Sequence, residues 1–197
     1  MSEVGRAFWL AIPVALCGIL HMIVVKARLL GFLARPLDGG ATLGGLPIFG
    51  PNKTWRGVAV MIVGSAGLGA VQGVLGGDWA ARTGVAAMDF GAAAGGSVVL
   101  GYTAVNTVFG VGYVLGELPN SFLKRRLEIT AGRTGAGLVG GFFFLLDQAD
   151  SVIAALVLGA LVFPLPWPLV WVGIGCLTGL HLFLNAALYL GKVRKNL

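Results

Sequence analysis

Ionisable side chains are scarce in this chain, and those with chemical potential gather in three short stretches. One is Leu146-Asp147-Gln148-Ala149-Asp150-Ser151, set between the apolar runs GGFFFLL and VIAALVLGALVF. Carboxylates at i and i+3 project from one face of a helix. Acids at membrane depth are costly and read by default as functional. A pair so spaced can share a hard cation such as Mg²⁺, which keeps water and phosphate oxygens in the rest of its shell. Helix capping is the competing reading, because Asp at a helix start accepts backbone N–H bonds and suits the macrodipole. The two readings can coexist.

The second stretch, GELPNSFLKRRLEITAGRTGAGL, runs from Gly116 to Leu138 and reads as a loop. Within it, Ser121, Lys124 and Arg125 share a face if the chain makes a helical turn, and Glu117 lies four residues before Ser121. Attraction to anionic headgroups explains Lys124, Arg125 and Arg126 but not the carboxylate and hydroxyl among them. The third stretch, RPLDGGATLGGLPIFGPNKTWRG from Arg35 to Gly57, is kept irregular by Gly and Pro. It ends in Pro51-Asn52-Lys53-Thr54-Trp55-Arg56, where cations, an amide and a hydroxyl meet the start of a helix. Such a place suits phosphate oxygens, although an ordinary basic anchor with an interfacial Trp has the same composition. Together the three stretches suit a phosphate-bearing lipid, a polyphosphate co-substrate and Mg²⁺.

The elements that must position these residues are membrane helices. The chain has 197 residues, only 11% of them charged, and a mean hydropathy of +0.89. A soluble domain is about one-quarter charged, so this surface faces lipid. Apolar runs near Phe8–Val25, Gly57–Leu75, Ala92–Leu115, Asp150–Phe163 with its flanks, and Leu169–Leu190 predict about five transmembrane helices in one all-α domain over residues 1–197. Pro164, Pro166 and Pro168 mark a surface turn beside Trp167 and Trp171. With five spans, every Lys and Arg except Arg6 and Arg82 falls on one side. The positive-inside rule makes that side cytoplasmic, with the N-terminus outside and the C-terminus inside. The first run carries no convincing cleavage signal and reads as a retained helix.

The net charge of +6 follows this asymmetry and does not point to nucleic acid. Cys17 and Cys176 lie in apolar runs and read as small buried hydrophobes. His21 and His181 stand alone in apolar helices and read as interhelical residues. Glycine pairs four apart, such as Gly69/Gly73, Gly91/Gly95, Gly112/Gly116, Gly137/Gly141 and Gly175/Gly179, read as helix-packing faces. They allow a homodimer but equally serve internal packing.

Gly116-Glu117-Leu118-x-x-Ser121-x-x-Lys124-Arg125-Arg126 followed by Leu146-Asp147-Gln148-Ala149-Asp150-Ser151 resembles the signature region of CTP-dependent phosphatidate cytidylyltransferases. With the upstream Phe49-Gly50-Pro51-Asn52-Lys53-Thr54-Trp55-Arg56-Gly57, the chain resembles the smaller CDP-archaeol synthase branch, as a bacterial-type member, over roughly Pro36 to Leu161. The resemblance implies a five-helix membrane enzyme of the cytoplasmic membrane, its active site facing the cytoplasm. It would join CTP to a lipid phosphate, phosphatidate or a prenyl-ether glycerol phosphate, and release pyrophosphate with Mg²⁺. It implies that Asp147 and Asp150 are metal ligands and catalytic, with Ser121 and Lys124 beside them. Asn52, Lys53, Thr54, Arg56, Arg125 and Arg126 are then substrate-binding. Glu117, a further metal candidate, stands where the family commonly has Asp. The Pro-Gly-His-Gly-Gly of the larger phosphatidate enzymes is absent, which disfavours a standard phosphatidate enzyme.

Two other classes compete. A small transporter or channel would use the intramembrane acidic pair and glycine-rich helices. A scaffold would gather anionic lipids on the basic loops and bind no nucleotide.

Overall fold

The computed structural model describes residues 2–83, 96–133 and 135–190, with side chains described outside 77–83 and 184–190. Five long helices dominate it: α1 (Glu3–Lys26), α2 (Trp55–Thr83), α3 (Val98–Arg126), α4 (Gly137–Val162) and α5 (Trp167–Leu190). Glu3–Lys26, Trp55–Gly76, Val98–Arg126 and Gly137–Val162 are long and apolar enough to cross a bilayer, and Trp167–Phe183 is the apolar described part of α5. The chain is thus an all-helical polytopic membrane protein. Among the described residues four helices reach spanning length and hydropathy, and α5 is the fifth long helix that the sequence suggests.

Local chemistry explains the helix ends. Ser2 caps α1, its Oγ accepting from Gly5 N at 3.3 Å, with Glu3 in the first turn and Lys26 in the last. Each end thus opposes the macrodipole. At the other end, Leu29 N donates to Val24 O and Arg28 N to Val25 O. Arg28 there has φ 55°. The same 6→1 and 5→2 pattern ends α3, through Ile129 N to Lys124 O and Glu128 N to Arg125 O, with Glu128 at φ 56°. Both are Schellman closures without the usual glycine.

α3 is the central helix, packing extensively against α2 and α4, while α1 leans on α2 and α5. Leu10, Val105, Phe109, Leu156, Leu169 and Val170 fill the common core. Glycines set the close approaches. A Cβ on Gly69 would lie 2.6 Å from Tyr102 O, and one on Gly112 would lie 2.6 Å from Ala155 Cα. Gly69/Gly73 and Gly112/Gly116 are therefore packing faces, as expected. Gly137, Gly141, Gly175 and Gly179 face open space instead, and Gly91 and Gly95 lie outside the described residues.

Pro13 sits inside α1 and removes the N–H that the carbonyl of Trp9 would accept. In lipid a freed carbonyl must find another donor. Gln72 Nε2 of α2 supplies it at 2.7 Å. Asn106 Nδ2 of α3 then donates to Gln72 Oε1 at 3.2 Å, and Trp9 Nε1 donates to Tyr102 Oη at 3.0 Å. A sequence irregularity in one helix thus becomes a hydrogen-bonded tie among three. Cys17 is fully buried, its Sγ donating to Val60 O at 3.1 Å, and neither it nor Cys176 is in a disulfide.

Two expectations are corrected. The stretch from Gly116 is helix up to Arg126, despite Pro119, so the α3–α4 connection is only 127–136. The α1–α2 connection is more ordered than its Gly and Pro content suggests. A one-turn 3-10 helix (Gly31–Leu33) leads into a hairpin of β1 (Thr42–Leu43) and β2 (Leu46–Pro47). Gly44 and Gly45 form its turn at φ 60° and 78°, the double positive φ that a tight two-residue hairpin requires.

Candidate active site

The site lies at the end of the bundle where α1 and α3 finish and α2 begins. Its centre is Asn120 of α3, which is buried. Asn120 Nδ2 donates to Asp147 Oδ1 and to Asp150 Oδ2, both at 2.7 Å. Lys124, one turn further along α3, reaches Asp147 Oδ1 and Oδ2 at 2.5 and 2.6 Å. Its ammonium also lies 5.5 Å from the Phe143 ring centroid. Ser151 holds the other oxygen of Asp150, through its backbone N at 2.6 Å and its Oγ at 3.0 Å. The acidic pair therefore has fixed rotamers before any ligand arrives.

The helices decide this meeting. Asp147 lies about 15 Å along α4 from its first residue, so neither acid caps a helix start, and the capping reading falls. Gly116 makes the approach of α3 to α4 close enough. A Cβ there would stand 2.5 Å from Asp150 O.

Ser121, Lys124 and Arg125 are all buried on the same stretch of α3. Arg125 is 7% exposed, and among the described residues it makes no hydrogen bond or ion pair. Its Cδ and Nη1 lie 3.5 and 3.7 Å from the position of a Cβ on Gly50, against the Pro51-Asn52 end of the first loop. Asn52 Nδ2 in turn lies 3.5 Å from the corresponding position on Gly132. Arg125 thus sits between the two connecting loops as a largely desolvated cation.

Other candidates are placed differently. Lys53 Nζ donates to Glu117 Oε2 in a part-buried ion pair. Glu117 is consequently tied to the first loop, not hydrogen-bonded into the Asp147/Asp150 cluster. Thr54 Oγ1 accepts from Gly57 N at 3.3 Å and caps α2. Arg56 donates to Leu29 O at 3.3 Å. Arg126 clasps the hairpin, donating to Leu43 O, to Leu46 O at 2.9 Å and to Pro47 O at 2.6 Å. Its guanidinium stacks 5.1 Å from the Phe122 ring centroid. These contacts position the loop.

Three residues escaped the sequence reading. Asn120 was hidden because its neighbours read as loop; on a helix, Glu117, Asn120, Ser121 and Lys124 fall at three- and four-residue spacing. His21, read as an interhelical residue, does pack between α1 and Gly57 of α2, and it also lines a cleft with Asn52, Lys53, Thr54, Tyr113 and Glu117. Asp38 organises the first loop by accepting from Gly40 N, Phe49 N and Gly50 N at 2.9, 2.8 and 3.1 Å. Burial alone would raise its pKa, but these three N–H donors outweigh that and hold the carboxyl below its usual value. An Asp before Gly-Gly is the local signal that could have revealed it.

Among the described residues no cluster of three or more His, Cys, Asp or Glu side chains is assembled for a metal. The donor set still fits a hard divalent cation in part. Asp147 and Asp150 offer carboxylate oxygens, and the buried Asn120 Oδ1 has no partner. Remaining positions would be left for water or phosphate oxygens, as Mg²⁺ prefers.

A bundle of apolar helices carrying an acidic pair, buried cations and a basic loop at one end defines a polytopic membrane protein with a charged site at that end. Residues 6–195 match the family model of CarS-like CDP-archaeol synthase. The chain is 35% identical over 148 residues to a CDP-archaeol synthase of Halobacterium salinarum, covering 75% of this chain and 68% of that one. It is 30% identical over 203 residues to one of Methanopyrus kandleri, covering 99% and 98%. To one of Methanocaldococcus jannaschii it is 30% identical over 136 residues, covering 68% and 67%. No solved structure matches. The chain belongs to the CDP-archaeol synthase family and is thereby a membrane lipid cytidylyltransferase.

Proposed function

We propose that this enzyme transfers the cytidylyl group of CTP to a membrane lipid phosphate on the cytoplasmic side of the membrane. An oxygen of the lipid phosphate bonds to the α-phosphorus of CTP, the bond from that phosphorus to the bridging oxygen breaks, and pyrophosphate leaves. The acceptor is already an anion, so little base catalysis is required. The work is to hold two anions in line and to stabilise charge on the leaving pyrophosphate. Arg125 and Asn52, between the loops, hold triphosphate oxygens. Ser121 adds a hydroxyl beside them. Lys124 neutralises Asp147 while no ligand is bound and would pass to a phosphate oxygen as the metal takes the carboxylate. Mg²⁺, held by Asp147 and Asp150, would neutralise phosphate charge when bound.

The observation that carries this reading is the Asn120–Asp147–Asp150–Lys124 cluster on the same end of α3 as the buried Arg125, which packs against the first loop at Gly50 with its Nε unsatisfied. Names of the relatives favour a prenyl-ether glycerol phosphate as acceptor, with phosphatidate as the alternative. The test measures pyrophosphate release by the purified protein with CTP and Mg²⁺, comparing phosphatidic acid with a geranylgeranyl ether-lipid phosphate. Release should need both lipid and metal, and the better lipid names the acceptor. Asp147→Ala and Asp150→Ala should each abolish it without loss of membrane insertion. Full turnover in both variants would remove the acidic pair from the site.

A further inference from the structure

The proposed reaction needs two anion subsites, one around Arg125 and one in the cleft bordered by His21. One subsite, around Arg125, lies between two connecting loops and suits a water-borne ligand. The other has a polar end and an apolar wall. His21 comes from α1, five residues before its last residue, Lys26. Its Nε2 lies 3.3 Å from the position of a Cβ on Gly57, so the ring rests on the first turn of α2. Lys53, Thr54, Tyr113 and Glu117 complete the polar end, and Asn52 stands on the border between this cleft and the Arg125 subsite. The wall continues with Val58 and Met61 of α2 and Val114 of α3. On neighbouring positions of α1, Leu20, Met22 and Ile23 are exposed and face lipid.

From this arrangement we propose that the His21–Lys53–Thr54 cleft binds the phosphate of the acceptor lipid, with its first chain atoms on Val58, Met61 and Val114. The assignment rests on the cytidylyltransferase reading. A lipid phosphate brings a polyanion joined to an apolar chain, and both ends must stay in suitable surroundings. A cleft one to two turns from the ends of two spanning helices meets that demand, because it is open to headgroup depth and floored by aliphatic side chains. The α2 N-terminus adds its partial positive charge to Lys53 and His21. Glu117 is the counter-ion that holds Lys53 in place, and it yields Lys53 to the stronger dianion. The same cleft explains a histidine in an otherwise apolar helix segment, where it adds a nitrogen donor without the cost of a permanent charge.

The test separates the two ligands. Binding of a short-chain lipid phosphate is measured in detergent without CTP, and binding of CTP is measured without lipid. His21→Ala should weaken lipid-phosphate binding about ten-fold or more, the usual loss for a hydrogen bond to a charged group, and leave CTP binding unchanged. His21→Gln, which keeps an N–H donor, should recover part of the loss. Val58→Trp, which fills the apolar wall without touching a polar group, should also weaken only the lipid. Loss of CTP binding with lipid binding intact would overturn the assignment and give the cleft to the nucleotide. So would unaltered lipid binding in both His21→Ala and Val58→Trp. Lipid-phosphate binding that depends on His21 in a protein without CTP turnover would keep the subsite and sink the cytidylyltransferase reading.

Discussion

At the scale of single residues, the site is organised by neutral and cationic groups around two acids. Asn120 is the hinge of that arrangement because one amide nitrogen serves both carboxylates. Replacing it by Ala leaves Asp147 and Asp150 short of a donor at close quarters. That change should cost about 1–3 kcal/mol, read as a lower melting temperature in detergent, together with a large fall in turnover. Arg125 carries the opposite sign. A buried cation without a partner opposes folding, and removing it relieves that penalty. Arg125→Met should therefore raise the melting temperature of the ligand-free protein while weakening CTP binding about ten-fold or more. A variant that lost both stability and affinity would show that Arg125 is a packing residue. Of the site, the sequence displayed the ionisable members, Asp147, Asp150, Lys124 and Arg125, because charges are conspicuous in apolar surroundings. It hid Asn120 and His21, since neither carries an obligatory charge and each gains meaning only from the helix opposite.

At the scale of elements, the contacts of α3 decide whether the site exists. Gly116 lets α3 approach Asp150 of α4, and a side chain there has backbone as its obstacle. Gly116→Val should abolish turnover by prising the helices apart beside the acidic pair. Gly175 of α5 faces open space, so Gly175→Ala should leave activity unchanged and stabilise its helix slightly, by about 0.5–1 kcal/mol. Equal effects at the two positions would refute the packing argument. The first loop is governed by Asp38. Its folded pKa lies below the ordinary 3.8, so the order it confers is complete above that value and is lost as pH falls through the lower folded value. Hydrogen exchange of the Phe49 and Gly50 amides should show constant protection from neutral pH down to about 4, then loss. Asp38→Ala should show weak protection at all pH values, with reduced turnover and normal insertion.

At the scale of the whole molecule, orientation decides which ligands can meet. Apart from Arg82, the basic positions from Lys26 to Arg133 cluster at the ends of α1 and α3, at the start of α2 and in the two connecting loops. The positive-inside rule then predicts that the hairpin faces the cytoplasm. Thr42→Cys, placed on the exposed hairpin, should react with a membrane-impermeant maleimide in inverted vesicles and not in intact cells. Labelling from outside would reverse the orientation and remove access to cytoplasmic CTP.

The sequence by itself determined the class of architecture and the type of chemistry. Hydropathy demanded spanning helices, because so few charges cannot cover a surface in water. The spacing of acids, cations and glycines marked the stretches proposed to handle phosphate and the packing faces Gly69/Gly73 and Gly112/Gly116. Tertiary structure alone decided where the third helix ended, since packing against α2 and α4 carried Gly116–Arg126 into the bundle despite Pro119. It alone paired Glu117 with Lys53, gave Arg126 to the hairpin carbonyls, and set Gln72 against the carbonyl that Pro13 left free. Each of those outcomes depends on which side chain meets which across a helix interface. Periodicity within one segment fixes a residue's face, while the partner on that face is set by the crossing and register of another helix.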